Sequence, residues 1–92
     1  MKTFTFHNDP GHGWLQVSGD DILAAGLKPS DFSRYSYWTR SPFSGGDTYY
    51  LEEDCDAVKF LAAYRRKGFK YDTQDVFTNE DSPIRTLRRI GG

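Results

Sequence analysis

The stretch DCDAVKFLAAYRRKG, from Asp54 to Gly68, decides the fold because it predicts the main helix of the chain. Its apolar side chains recur at the spacing i, i+3, i+4 and i+7, which places them on one helix face: Ala57, Phe60, Leu61 and Tyr64. Acidic residues precede this face and basic residues follow it, an order that suits the helix dipole. We therefore expect an amphipathic helix from Cys55 to Lys67, with Asp54 as its N-cap and Gly68 at its end.

Two predicted hairpins come before this helix. Residues 2–7 alternate between apolar and polar side chains, a turn-forming Asn-Asp-Pro-Gly sequence follows, and residues 13–17 predict the second strand. A second pair of strands is predicted from the aromatic-rich stretch 33–40 and from residues 48–52, joined by a loop over residues 41–47. Between the hairpins, Ser18 and Asp21 fit a capping box for a short helix that ends at Gly26.

The segment after the main helix completes the predicted order of elements. Residues 69–71 and 76–78 predict one interrupted last strand, and Ser82 with Pro83 predicts the start of a further helical turn. The resulting order is β-β-α-β-β-α-β. We expect an α+β fold: a mostly antiparallel sheet of four or five strands, with one short and one longer helix packed on one face.

The composition limits the class of protein. Ninety-two residues fit a single domain, 1–92, and seven Phe, six Tyr and two Trp compensate for a small aliphatic content. Apolar runs stay far below the about 20 residues that span a bilayer, so we expect no membrane partner. A net charge of −1 does not favour a general nucleic-acid binder, and the single cysteine fits a cytoplasmic protein.

The most distinctive cluster of charges is acidic. Five carboxylates and no basic side chain lie between residues 47 and 56: Asp47, Glu52, Glu53, Asp54 and Asp56. Such a surface could dock on a basic protein surface by imitating nucleic-acid phosphates. Acidic residues at a helix N-terminus are also stabilising in their own right, and the spacing lacks the glycine and the distal glutamate of a calcium loop. We take these five residues as candidate partner-binding residues.

The C-terminal segment carries the opposite charge. Arg85, Arg88 and Arg89 follow the last acidic residue, and the chain ends in two glycines. We expect residues 85–92 to form a flexible basic tail, whose arginines could contact phosphates or an acidic partner or simply be solvated. The double glycine also leaves open a ubiquitin-like protein, as an alternative.

Three further residues are candidates for metal binding or for a reactive thiol. His7 and His12 flank Asp9 and could contribute to a metal site, but a turn with two partly exposed histidines is the simpler interpretation. For Cys55, the helix N-terminus would lower the thiol pKa, whereas the surrounding carboxylates would raise it. We therefore expect a buried, inert cysteine. No catalytic residue, metal or cofactor is predicted.

Three segments together resemble a family of small phage and plasmid proteins. They read FHNDPGHGWL at residues 6–15, YLEEDCDA at residues 50–57 and NEDSPIR at residues 79–85. The chain is similar in size and style to phage anti-CRISPR proteins that inhibit type I surveillance complexes. This resemblance implies a stoichiometric inhibitor, and not an enzyme, in the bacterial cytoplasm. Its acidic face would exclude DNA from a basic channel, and its tail would contact guide RNA or an acidic subunit. The alternative is a non-enzymatic accessory protein of a mobile element, either ubiquitin-like or associated with nucleic acid.

Overall fold

A computed structural model describes residues 1–40, 47–80 and 82–90 of the chain. The predicted loop over residues 41–47 therefore lies outside the described residues except for Asp47. The elements follow in this order: β1 (Lys2–Asn8), β2 (Gly13–Ser18), α1 (Gly19–Ala24), a 3₁₀ helix (Pro29–Asp31), β3 (Tyr37–Thr39), β4 (Thr48–Glu52), α2 (Asp56–Arg66), β5 (Tyr71–Phe77), a second 3₁₀ helix (Pro83–Thr86) and β6 (Arg88–Arg89).

The six described strands form one sheet in the order β5-β1-β2-β4-β3-β6. Neighbouring strands are antiparallel except β1 and β5, which pair in parallel over Lys2–Asn8 and Tyr71–Phe77. The parallel pair follows from α2, because a helical crossover returns the chain to the same end of the sheet before β5 begins. The α+β class and the order β-β-α-β-β-α-β are thus confirmed, and β6 adds a sixth strand beyond the four or five expected.

The main core lies between the sheet and the two α-helices. Phe4, Leu15 and Leu51 point from three neighbouring strands toward Ile22 of α1 and Phe60 of α2, and all five are at most 2% exposed. The rings of Phe4 and Phe60 meet edge to face with centroids 5.4 Å apart. Aromatic side chains therefore supply the volume that the sparse aliphatic residues do not.

A second, smaller cluster covers part of the opposite sheet face. Successive residues of a strand point to opposite faces, so Trp14 faces away from Leu15. Trp14 packs with Tyr37 and with Ile84 of the second 3₁₀ helix, and all three are buried. The C-terminal segment is thereby held against the sheet.

The local signals for helix ends are largely confirmed. Ser18 and Asp21 form the expected capping box, and Gly26 and Gly68 adopt the left-handed φ values of 79° and 91° that end the two helices. One expectation was wrong: Cys55, not Asp54, is the N-cap of α2, and its side chain makes no capping hydrogen bond. Among the described residues, no helix is long and apolar enough to cross a membrane.

Two segments differ from their predicted form. The stretch 33–40 forms only the short strand Tyr37–Thr39, since Ser33 and Ser36 bond to a side chain of α2. The expected flexible tail is docked as far as Ile90: Arg88–Arg89 pair with β3, the Ile90 N–H donates to the Ser36 carbonyl at 2.9 Å, and the Ile90 side chain is buried. Gly91 and Gly92 lie outside the described residues.

Candidate functional site

The three segments that carry the family resemblance meet at one cleft. This cleft has a volume of about 340 Å³ and lies on the sheet face away from the α-helices. Its walls come from the β1–β2 turn, the β4–α2 turn, the segment before β3 and the C-terminal segment. The lining residues are His12, Trp14, Tyr35, Tyr37, Glu52, Asp54, Cys55, Arg85 and Arg89. Four of the eight predicted partner-binding residues are therefore in one place: Glu52, Asp54, Arg85 and Arg89.

A buried carboxylate holds two walls of the cleft together. The side chain of Asp9 is 0% exposed and accepts hydrogen bonds at 2.7 and 2.9 Å from Nε and Nη2 of Arg85. The same carboxylate accepts the backbone N–H of Gly11, His12 and Ser82 at 2.9–3.0 Å. The Arg85 guanidinium holds the pKa of Asp9 far below its usual range, and these N–H donors lower it further, against the opposing effect of burial.

Aromatic rings form the floor of the cleft, and two arginines lie above them. The Arg85 guanidinium is 5.3 Å from the ring centroid of Trp14, and that of Arg89 is 5.5 Å from the centroid of Tyr37. Trp14 and Tyr37 contact each other at 6.1 Å in a T-shaped arrangement, whereas Tyr35 is 67% exposed at the mouth. Cation–π contacts therefore hold the basic residues against the aromatic floor.

The turn between β4 and α2 presents the acidic rim, which we define as Glu52, Glu53 and Asp54. One carboxylate oxygen of Glu52 accepts the backbone N–H of Asp54 at 3.1 Å and of Cys55 at 3.0 Å, so Glu52 also orders this turn. Asp54 is exposed. Cys55 is exposed as well, so the expectation of a buried cysteine was wrong: as the N-cap, its side chain lies outside the core that α2 builds.

Two of the predicted acidic residues lie apart from this rim. Asp56 is 2% exposed and accepts hydrogen bonds from the Ser33 hydroxyl at 2.7 Å, from the Ser33 N–H at 2.9 Å and from the Ser36 hydroxyl. A side chain so enclosed is not available to a partner, and the assignment of Asp56 to a docking surface is corrected here. Asp47 lies at the other end of β4, 3.9 Å from Arg40.

The remaining arginine of the basic segment faces the other side of the sheet. Adjacent strand residues point in opposite directions, so Arg88 lies away from the cleft that Arg89 lines. Its guanidinium is 6.0 Å from the ring centroid of Trp38. Both residues border a groove whose other lining residues include Arg40 and Leu87.

The histidines have local partners. A ring nitrogen of His7 lies 2.7 Å from Oε1 of Gln16, and the His12 ring contacts the Trp14 ring at 6.0 Å. Within residues 1–40, 47–80 and 82–90, no group of three His, Cys, Asp or Glu side chains is arranged to hold a metal ion.

Sequence reasoning missed Asp9 and the aromatic floor as parts of the site. The sequence Asn-Asp-Pro-Gly is a strong turn signal, and an aspartate there commonly bonds the N–H groups that follow it, as Asp9 does. Its pairing with Arg85, 76 positions later, leaves no local signal. The aromatic-rich stretch 33–40 predicts a strand, but nothing in its spacing indicates that Tyr35 and Tyr37 line a cleft.

Comparison with known proteins yields no match: neither a family model nor a curated protein nor a solved structure is significantly similar to this chain. The resemblance to small phage and plasmid proteins remains a prediction.

Proposed function

We propose that this protein is a non-enzymatic inhibitor that binds a type I CRISPR surveillance complex stoichiometrically and blocks its binding to target DNA. In this proposal it acts in the cytoplasm of a bacterial host, in the manner of phage anti-CRISPR proteins. The contact surface is the cleft together with its acidic rim.

The types of residue that line the cleft are the observation that supports a protein partner. Tyr and Arg contribute strongly to the binding energy of protein interfaces, and this cleft exposes Tyr35, Arg89 and part of Arg85 above the buried rings of Trp14 and Tyr37. The hydrogen bonds between Asp9 and Arg85 order one wall of the cleft before any partner binds, which lowers the entropic cost of binding.

The acidic rim gives the proposal its specific target. Glu52 and Asp54 place two negative charges in the wall of the cleft, whereas Glu53, the third member of the rim, does not line it. A surveillance complex grips its target strands in positively charged channels, and carboxylates placed there compete with DNA phosphates. Arg89 faces the same cleft, so the partner surface needs an acidic or phosphate group within reach of the basic channel, such as the guide-RNA backbone.

A second candidate rests on the groove at β3 and β6. Arg88 lies over Trp38 there, and Arg40 lines the same groove. Trp38 is partly buried against the core. Cations beside an aromatic ring are typical of proteins that bind single-stranded nucleic acid, which fits the alternative of a nucleic-acid-associated accessory protein. That alternative predicts binding to DNA or RNA alone, with an affinity that falls steeply as salt rises.

The test uses purified type I surveillance complex and two charge-reversal variants. Asp54→Lys changes an exposed carboxylate of the cleft, and Asp20→Lys makes the same change at an exposed carboxylate of α1. We expect the unmodified chain and Asp20→Lys to bind and to displace target DNA, and Asp54→Lys to bind about tenfold more weakly or worse. Equal affinity of the two folded variants would contradict the role of the rim, and the absence of binding to any type I complex would overturn the proposal.

A further inference from the structure

The outer strand β5 is the longer of the two outer strands of the sheet, and most of it is exposed. Every residue from Asp72 to Phe77 is exposed, and the apolar side chains of Val76 and Phe77 are 45% and 64% exposed. One edge of β5 pairs with β1 along all seven residues. Within residues 1–40, 47–80 and 82–90, no strand pairs with its other edge. A strand of this length with a free edge is a template for strand addition.

The parallel ladder determines which backbone groups face outward. The Thr78 N–H donates to the Asn8 carbonyl at 2.8 Å, and Asn8 is the register partner of Phe77. In a parallel pair, alternate residues of one strand make the bonds to its neighbour, so Asp72, Gln74 and Val76 bond to β1. The N–H and C=O groups that point to the free edge are those of the odd-numbered residues: Tyr71, Thr73, Asp75 and Phe77.

We propose that a second copy of this chain occupies this edge, with the two β5 strands antiparallel about a two-fold axis at Gln74. In an antiparallel pair, the backbone N–H and C=O groups of two directly opposite residues either both point toward the partner strand or both point away from it. Only registers that place odd residues opposite odd residues satisfy this condition. The axis must therefore pass through a residue and not between two residues.

Repulsion between carboxylates and the number of paired β5 residues then select one register. An axis at Asp72 or Asp75 would place two identical carboxylates directly opposite each other, which is destabilising. An axis at Thr73 would leave Val76 and Phe77 without strand partners. The axis at Gln74 pairs all of Tyr71–Phe77, as in the pairing to β1.

The selected register also matches side chains. Tyr71 lies opposite Phe77 of the second copy, so that two aromatic pairs form, one at each end. Thr73 lies opposite Asp75, where its hydroxyl can donate to the carboxylate, and Asp72 lies opposite Val76. In the free chain the Asp72 carboxylate accepts the outward N–H of Thr73 at 2.9 Å. This hydrogen bond must break before the Thr73 N–H can pair with a second strand, which lowers the stability of the dimer.

Cysteine pairs test the register directly. In a Cys55→Ser background, Gln74→Cys places two thiols opposite each other at a non-hydrogen-bonded position, where Cα atoms are about 4.5 Å apart and a disulfide can form. Asp72→Cys is the matched control, because its two copies lie about 13 Å apart along the strands in this register. Under mild oxidation we expect Gln74→Cys to form a covalent dimer and Asp72→Cys to stay at 10.6 kDa. Equal cross-linking of the two variants would overturn the proposal.

Sedimentation of the unmodified chain provides the second measurement. We expect a dimer at millimolar concentration, and we expect Asp75→Pro to sediment as a monomer. This proline removes an outward N–H without removing a bond to β1. A monomer at every concentration for the unmodified chain would contradict the inference. Neither experiment contains a surveillance complex, so the outcome is independent of the proposed inhibitory function.

Discussion

The cleft and the β5 edge use aspartate in opposite ways. Asp9 is enclosed and accepts hydrogen bonds from Arg85, Ser82, Gly11 and His12, so one carboxylate joins segments from the two ends of the chain. On β5, Asp72 and Asp75 lie in water. The buried and paired carboxylate of Asp9 therefore fixes how distant segments are arranged. The exposed carboxylates of Asp72 and Asp75 instead limit which strands can pair with the β5 edge.

The largest expected effect comes from breaking the buried pair. Asp9→Ala removes one partner of the half-buried Arg85 guanidinium and leaves three backbone N–H groups without their acceptor. We expect the free energy of unfolding, measured by urea denaturation, to fall by about 3 kcal/mol. The matched Asp72→Ala change on β5 should alter it by less than about 0.5 kcal/mol. Equal losses at the two sites would show that desolvation does not distinguish them.

Acid should destabilise the fold through the buried carboxylate of Asp9. The pKa of Asp9 in the folded chain lies below its value of 3.8 in the unfolded chain, so the unfolded state binds the proton more readily. The resulting stability is present above about pH 4 and is lost as the pH falls further. We expect Asp9→Asn to have a flatter urea midpoint against pH in this acid range. Parallel profiles for the variant and the unmodified chain would contradict this origin of acid sensitivity.

A smaller effect is expected where a hydroxyl joins α2 to the sheet. Ser36 is 0% exposed, its hydroxyl donates to Asp56, and its oxygen accepts the Glu52 N–H at 2.9 Å. Ser36→Ala should lower the free energy of unfolding by about 1 to 2 kcal/mol, since it leaves buried groups unsatisfied. Thr73→Ala on β5 should lower it by less than about 0.5 kcal/mol. A Ser36→Ala variant as stable as the unmodified chain would remove this contact from the account.

The parts of the fold that could be predicted from sequence depend on neighbours along the chain. The 3.6-residue period of α2, the Ser18 capping box and the left-handed glycines 26 and 68 each involve residues a few positions apart. The alternation in β1 likewise reports a sheet with one buried face. Such signals survive in the structure because tertiary packing reinforces them.

The parts that could not be predicted depend on contacts between distant segments. The carboxylate of Asp56 looked like surface charge at a helix start, and only Ser33 and Ser36 explain its burial. The basic segment looked like a free tail, because its fixation comes from Asp9 and from the rings of Trp14 and Tyr37. Charge patterns along a sequence do not reveal the partners that desolvate them.

The central proposal is that the cleft, and not the β5 edge, docks on a type I surveillance complex. Hydrogen exchange of the backbone amides, with and without a saturating amount of purified type I surveillance complex, tests it most directly. We predict slower exchange in the complex at residues 52–55 and 84–89, and unchanged exchange at residues 71–77. Protection confined to residues 71–77, with the cleft amides unaffected, would contradict the account.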